Sequence, residues 1–117
     1  MDKVNFITLQ NDEDIVISFS FDEGTEFGID GFTIQRNPGL EFFLDKDDRG
    51  ACIEWLDEDD IRVVLDVVNI SREVITMKTK EKVCHYSFDI GNIADDEYTD
   101  LVEHFRLINF DNSISIS

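Results

Sequence analysis

The spacing of apolar residues changes once along this chain, and that change limits what the chain can fold into. As far as Gly91-Asn92, apolar and polar residues alternate in short runs, the period of half-buried strands; beyond that point apolar residues recur at helical spacing. Alternation is clearest over residues 15–21, where Ile15, Ile17, Phe19 and Phe21 share one face and Val16, Ser18 and Ser20 the other. Residues 4–9 read as a preceding edge strand, set off by Gln10-Asn11-Asp12-Glu13-Asp14. Residues 27–35 read as a bent strand or two short ones, broken at Gly28 and Gly31. Asn37-Pro38-Gly39 then forms a turn.

Residues 40–44 and 51–56 are two further strand candidates, the second with Ala51, Ile53 and Trp55 facing inward. The run 61–70 is apolar on both faces, so one face is expected to meet the core and the other to be covered by the helix or by a partner. It pairs as a hairpin with 74–79 around Ser71-Arg72-Glu73. Residues 83–90 form the last long strand, with Cys84, Tyr86, Phe88 and Ile90 inward.

Past Gly91, the spacing of Tyr98, Leu101, Val102 and Phe105 predicts a helix over 95–108. Asp95 or Asp96 can cap its exposed amides, and Glu97 and Asp100 suit its positive end. The fold class expected is α+β: a twisted, mainly antiparallel β-sheet with one C-terminal α-helix packed on it. One domain is expected over residues 1–110, with 111–117 either a frayed tail or a short terminal strand.

Charge narrows the function. The chain has 27 Asp and Glu against 10 Lys and Arg, a net charge of -17 in 117 residues, yet 42% of it is hydrophobic. That apolar content is too high for a disordered acidic tail, so the expected object is a folded domain with a strong negative field. Such a field attracts basic proteins and repels nucleic acid and anionic membranes. No opening apolar run resembles a secretory signal, and no stretch nears the roughly 20 apolar residues that cross a bilayer, so a cytoplasmic protein is expected. Cys52 and Cys84 lie in strand-like segments with no dense cysteine framework, and free thiols are expected.

Catalytic and metal chemistry find little support. Asp45-Lys46-Asp47-Asp48-Arg49-Gly50 opens like a calcium loop, but the fifth position is Arg49 and the twelfth is Leu56, where oxygen donors belong. Glu97, Asp100 and His104 fall one helical turn apart, without a His or Cys to complete a metal site. Cys84 and His85 are neighbours in a strand and point to opposite faces, poor geometry for a dyad. Phosphate loops, zinc-finger spacing and basic stripes with interleaved aromatics are absent, and the ten Phe residues read as core. No catalytic residue, metal ligand or cofactor is therefore assigned, and a metal-dependent enzyme is the weakest of the readings. Binding is the expected activity. The first-choice contacts are Glu54, Asp57, Glu58, Asp59 and Asp60, because residues 45–60 hold eight acidic and two basic side chains around Trp55. Trp55 itself reads as core.

The order Gly31-Phe32-Thr33-Ile34-Gln35-Arg36, then Cys52-Ile53-Glu54-Trp55, then Ser71-Arg72-Glu73-Val74-Ile75-Thr76-Met77, followed by an acidic final helix, resembles the immunity protein 10 family of bacterial polymorphic-toxin systems. The similarity spans roughly residues 13–108. It implies a cytoplasmic, non-enzymatic protein that binds a cognate toxin and protects the producing cell, and it carries over no catalytic residues. The segment after Trp55 is more acidic than the family pattern, and the glycine-bearing stretch of that region is missing, which bears on the binding surface more than on the fold. An acidic protein-binding module that mimics nucleic acid is the alternative, since carboxylates on a rigid sheet can occupy phosphate positions in a cationic cleft.

Overall fold

The computed structural model describes residues 2–21, 31–41, 43, 50–54, 63–79 and 85–117. In chain order these form β1 (Asp2–Asn11), β2 (Ile15–Phe21), β3 (Gly31–Arg36), α1 (Pro38–Glu41), β4 (Cys52–Glu54), β5 (Val63–Ile70), β6 (Val74–Thr79), β7 (His85–Asp89), α2 (Asp95–Ile108) and β8 (Ser115–Ile116). The fold is the expected one, a mostly antiparallel sheet with the C-terminal helix packed against it.

The sheet also closes, which alternation alone did not indicate. Its strand order is β4-β3-β2-β1-β7-β6-β5, and β4 pairs back onto β5, Cys52 with Val64 and Ile53 with Val63. Leu65 N–H donates to the Ala51 carbonyl at 2.9 Å across the same seam. β8 adds to the other half of β5 in parallel, through Val67–Ser115 and Val68–Ile116. The second parallel contact is short as well: β1 and β7 share Asp2–Phe88 and Lys3–Asp89. β1 is therefore flanked on both sides, by β2 and β7, and is not the edge strand its position suggested.

Closing a sheet requires strands to bend, and both strands that turn the corners carry a register shift. In β1 the shift lies between Val4 and Phe6, in β5 between Leu65 and Val67. Each shift moves the inward set by one residue. β1 faces inward at Val4 and then at Ile7 and Leu9; β5 faces inward at Leu65 and then at Val68. This accounts for Val68 and Ile70 facing the same way as Leu65; Val64, buried on the opposite face, packs instead against Gly50 at the seam.

The interior is aromatic at its centre. Phe88 on β7 touches Phe19, Phe21 and Phe32 at centroid distances of 5.9, 4.9 and 5.0 Å, and Phe32 meets Tyr86 at 5.1 Å. Tilted and edge-on pairs of this kind add to the burial of the rings themselves. Leu101, Phe105 and Ile108 of α2 complete the core, and α2 packs against β1 and β2. The helix spans the expected residues, but its N-cap is the residue before Asp95. Ala94 is the N-cap, its N–H donates to Glu97 Oε1 at 3.3 Å, and Asp96 Oδ1 accepts from the Glu97 N–H at 3.0 Å.

Two other expectations change. Of the strand expected over 40–44, Leu40 and Glu41 belong instead to α1, because Pro38 occupies the first helical position with its φ preset and the Asn37 carbonyl accepts the Glu41 N–H at 3.2 Å, while residues 42 and 44 lie outside the described residues. The chain end takes the strand alternative. Asn109 exchanges two hydrogen bonds of 2.9 Å with the Ile114 backbone, Asn112 adopts φ 57, Ile114 is buried and β8 follows. Residues 27–30, 55–62 and 80–84, with Trp55 and Cys84 among them, lie outside the described residues.

Phe105, 1% exposed at the centre of the helix contact, is expected to cost about 3–5 kcal/mol when replaced by Ala. Gly50 tests the seam separately. It is buried at φ 140, and a Cβ there would stand 2.6 Å from Val64 Cγ1, so Gly50→Ala is expected to destabilise by about 1–3 kcal/mol. Urea unfolding of each variant measures both effects, and a Gly50→Ala protein as stable as the parent would mean that the seam is not packed as described.

Candidate functional site

The residues singled out in the sequence are placed only in part. Glu54 ends β4, its backbone paired with Thr33. Asp57, Glu58, Asp59 and Asp60 lie outside the described residues, as do residues 45–49 of the acidic turn. The described part of the molecule instead brings together two arginine sites and one groove, none of which was singled out.

Arg36 is the last residue of β3. Phe32, Ile34 and Arg36 share one face, so the strand's own alternation carries a guanidinium inward, where it is 2% exposed. All five of its N–H donors are used. Nε and Nη2 donate to the two Glu41 oxygens at 2.6 and 2.9 Å; Nη1 and Nη2 donate to the two Asp111 oxygens at 3.0 and 2.8 Å; and Nη1 also donates to the Ile108 carbonyl at 2.9 Å. The Phe110 ring covers the guanidinium, 4.1 Å from Cζ to centroid. Burial works against the charged guanidinium, but the hydrogen bonds and charges of Glu41 and Asp111 outweigh it and raise the Arg36 pKa. The same bonding holds the Asp111 carboxyl far below the usual carboxylate range, against a smaller opposing effect of burial. With every donor occupied, this cluster has nothing to offer a ligand; it ties β3, α1 and the end of α2 together. A cavity of about 150 Å³ adjoins it, lined by Asp14, Gln35, Asn37, Gly50 and the buried Cys52, whose Sγ donates to the Gly50 carbonyl at 3.7 Å.

Arg72 holds the opposite end of the helix. From the β5–β6 turn it donates to Asp95 Oδ1 at 3.0 Å and to the Ile90 and Ile93 carbonyls at 3.3 and 2.6 Å, and it stands 5.4 Å from the Tyr98 ring centroid. These two arginines therefore spend their charge on acceptors of the chain itself, Arg36 in the interior and Arg72 at the surface. Among the described residues the exposed carboxylates Asp12, Glu13, Glu73, Asp96, Asp100 and Glu103 face solvent against the exposed cations Lys3 and Arg106.

The groove runs between α2 and β1. Asp100, Glu103, His104 and Leu107 fall at i, i+3, i+4 and i+7 and form one helical stripe beside the buried one, facing Leu9 across a space of about 370 Å³. His104 does more than share the helix's outer face with Glu97 and Asp100. Its Nε2 donates to the Gln10 carbonyl at 2.8 Å and so holds the helix to β1, while Glu97 caps the helix start. Among the described residues no three His, Cys, Asp or Glu side chains converge as metal ligands, and no helix is long and apolar enough to cross a membrane. Arg36 could have been flagged from its inward phase alone. The groove could not, because it needs the pairing of residues nearly a hundred positions apart.

Compared with known proteins, the chain matches no family model, no curated protein and no solved structure.

Two variants test the Arg36 cluster. Arg36→Met strands the nearly buried Glu41 and is expected to cost about 3–5 kcal/mol, whereas Arg36→Met combined with Glu41→Leu should recover most of that loss. Asp111 governs the acid side. Its folded pKa lies below its unfolded value, so its contribution is complete above about pH 5 and is lost as pH falls through about 4 and below. The raised Arg36 pKa adds no pH dependence until far into alkali. The stability difference between parent and Asp111→Asn is therefore expected to be constant from pH 7 to about 5 and to shrink below about 4, as followed by urea titrations across pH. A difference that grew on acidification would contradict the ion pair.

Proposed function

We propose that this chain is an immunity protein that works in the cytoplasm, binding a cognate bacterial toxin through an acidic surface and blocking it without catalytic turnover. The observation that carries this reading is the partition of charge. A net charge of -17 is laid over a closed sheet, and among the described residues Arg36 and Arg72 are engaged by acceptors of the chain itself while Asp12, Glu13, Glu73, Asp96, Asp100 and Glu103 face outward. A surface of this kind steers a basic partner and disfavours nucleic acid, and its value lies more in association rate and selectivity than in contact energy. The resemblance carried by residues 31–36, 52–55 and 71–77 supports the same role. Glu54, Asp57, Glu58, Asp59 and Asp60 remain the first-choice contacts, since Glu54 ends the strand that closes the sheet and the other four follow it in sequence.

The test begins with the tagged chain as bait in the bacterium that encodes it. The recovered partner must stop growth when expressed alone, and co-expression of the chain must restore growth. In stopped-flow binding, replacing Asp57, Glu58, Asp59 and Asp60 together by Asn or Gln is expected to slow association roughly tenfold at low salt and to flatten its salt dependence, with the fold intact. An unchanged rate would remove these four residues from the surface while leaving the role. Recovery of many unrelated nucleic-acid-binding proteins, and no toxin, would replace the role with nucleic-acid mimicry.

A further inference from the structure

We propose that the groove between α2 and β1 seats a segment of a basic protein partner, one that presents a lysine or arginine about 10 Å from an aliphatic side chain. The inference names a contact for the partner of the preceding section, at a place distinct from residues 54–60. It rests on that reading for the partner's biology, but not for the chemistry of the groove.

The groove has two chemically different ends. Asp100 and Glu103 project from the N-terminal half of the stripe, both exposed, and among the described residues no Lys or Arg lines the space with them. Arg106, the one Lys or Arg of α2, lies about 120° around the helix from Asp100 and outside the lining, one turn beyond Glu103. At the other end Leu107 is 39% exposed opposite half-buried Leu9, and the chain continues to Phe110, 52% exposed. Asp100 and Leu107 are seven residues apart, about 10 Å along the axis. A cation and an aliphatic group at that separation, seven residues apart on a helix, fit both ends at once.

The walls are held before any partner arrives. Leu101, Phe105 and Ile108 fix the helix from beneath, and His104 ties it to the Gln10 carbonyl. A preformed recess spares a partner the ordering of both walls. Charge also selects among occupants. A second copy of this chain would bring another -17 to the same surface, whereas a basic protein brings the opposite sign.

The probe is a synthetic alanine-based helix carrying one lysine and one leucine seven residues apart, titrated into the full-length ¹⁵N-labelled chain. Saturable shifts are expected in residues 9–11 and 100–107. Affinity should fall roughly threefold to tenfold in Asp100→Asn/Glu103→Gln and about tenfold in Leu107→Ser, with melting curves close to the parent's. A peptide with glutamate in place of lysine should not bind. Shifts confined to other residues, or equal binding by the variants or the glutamate peptide, would overturn the proposal. So would a dimer of the parent chain in sedimentation that Leu107→Ser dissolves, since the occupant would then be a second copy. The triple variant, assayed for protection against the recovered toxin, separates this idea from the role: full protection removes the groove and leaves the role. If the parent chain itself protects against nothing, the role falls, and the peptide titration still decides the groove.

Discussion

A guanidinium with all five donors committed, buried at the end of a strand, is the constraint on which much of the remaining structure depends. An uncompensated charge at that depth costs several kcal/mol, so Arg36 is tolerable there only while Glu41, Asp111 and the Ile108 carbonyl are all in place. Those acceptors come from three separate parts of the chain. α1 must form to present Glu41, α2 must stop at Ile108 to free its carbonyl, and the chain must then turn to bring back Asp111. The turn continues through the Asn109–Ile114 exchange into β8, which completes the free half of β5. One inward-facing arginine thus organises the short helix, the end of the long one and the course of the last residues.

The same economy governs the sheet. A closed sheet has fewer open edges to offer another chain, but closure demands sharp bending at two places. The register shifts of β1 and β5 provide it. Beside one of them, Gly50 and Val64 approach too closely for any side chain at Gly50, so the seam between β4 and β5 depends on a residue without a Cβ. The strongly acidic segment 57–60 follows immediately on this seam in the chain.

Among the described residues one cation, Arg36, is buried on acceptors of the chain itself, while Asp12, Glu13, Glu73, Asp96, Asp100 and Glu103 face solvent. Arg36 and Arg72 clamp the two ends of α2, the first from within through its last carbonyl and the second from the surface through the exposed Asp95 and the turn that precedes the helix. The carboxylates of the helix's outer stripe are left without those cations. Self-repulsion among them is the cost of such a surface, and the aromatic core with its two clamps offsets it. Rigid support beneath a like-charged face is what allows it to meet a partner of opposite sign without first rearranging.

Local pattern by itself determined a good part of this protein. Period-two alternation placed β2, β6 and the inward set of β7; the switch at Gly91 located α2 to the residue, and its stripe identified Leu101 and Phe105 as core. These follow from side-chain direction, which repeats every two residues in a strand and every 3.6 in a helix whatever lies elsewhere. The tertiary structure alone decided what depends on distant partners. Closure joins β4 to β5, and the phase change within β5 is invisible to a pattern read as one uninterrupted strand. The start of the strand expected at 40–44 gave way to α1 because Glu41 is needed beside Arg36. The tail became β8 because the edge of β5 was open to it. Neither the Arg36 cluster nor the groove at His104 exists in any local window: each is made of residues brought together across more than seventy positions, and only the packing of the whole chain sets such contacts.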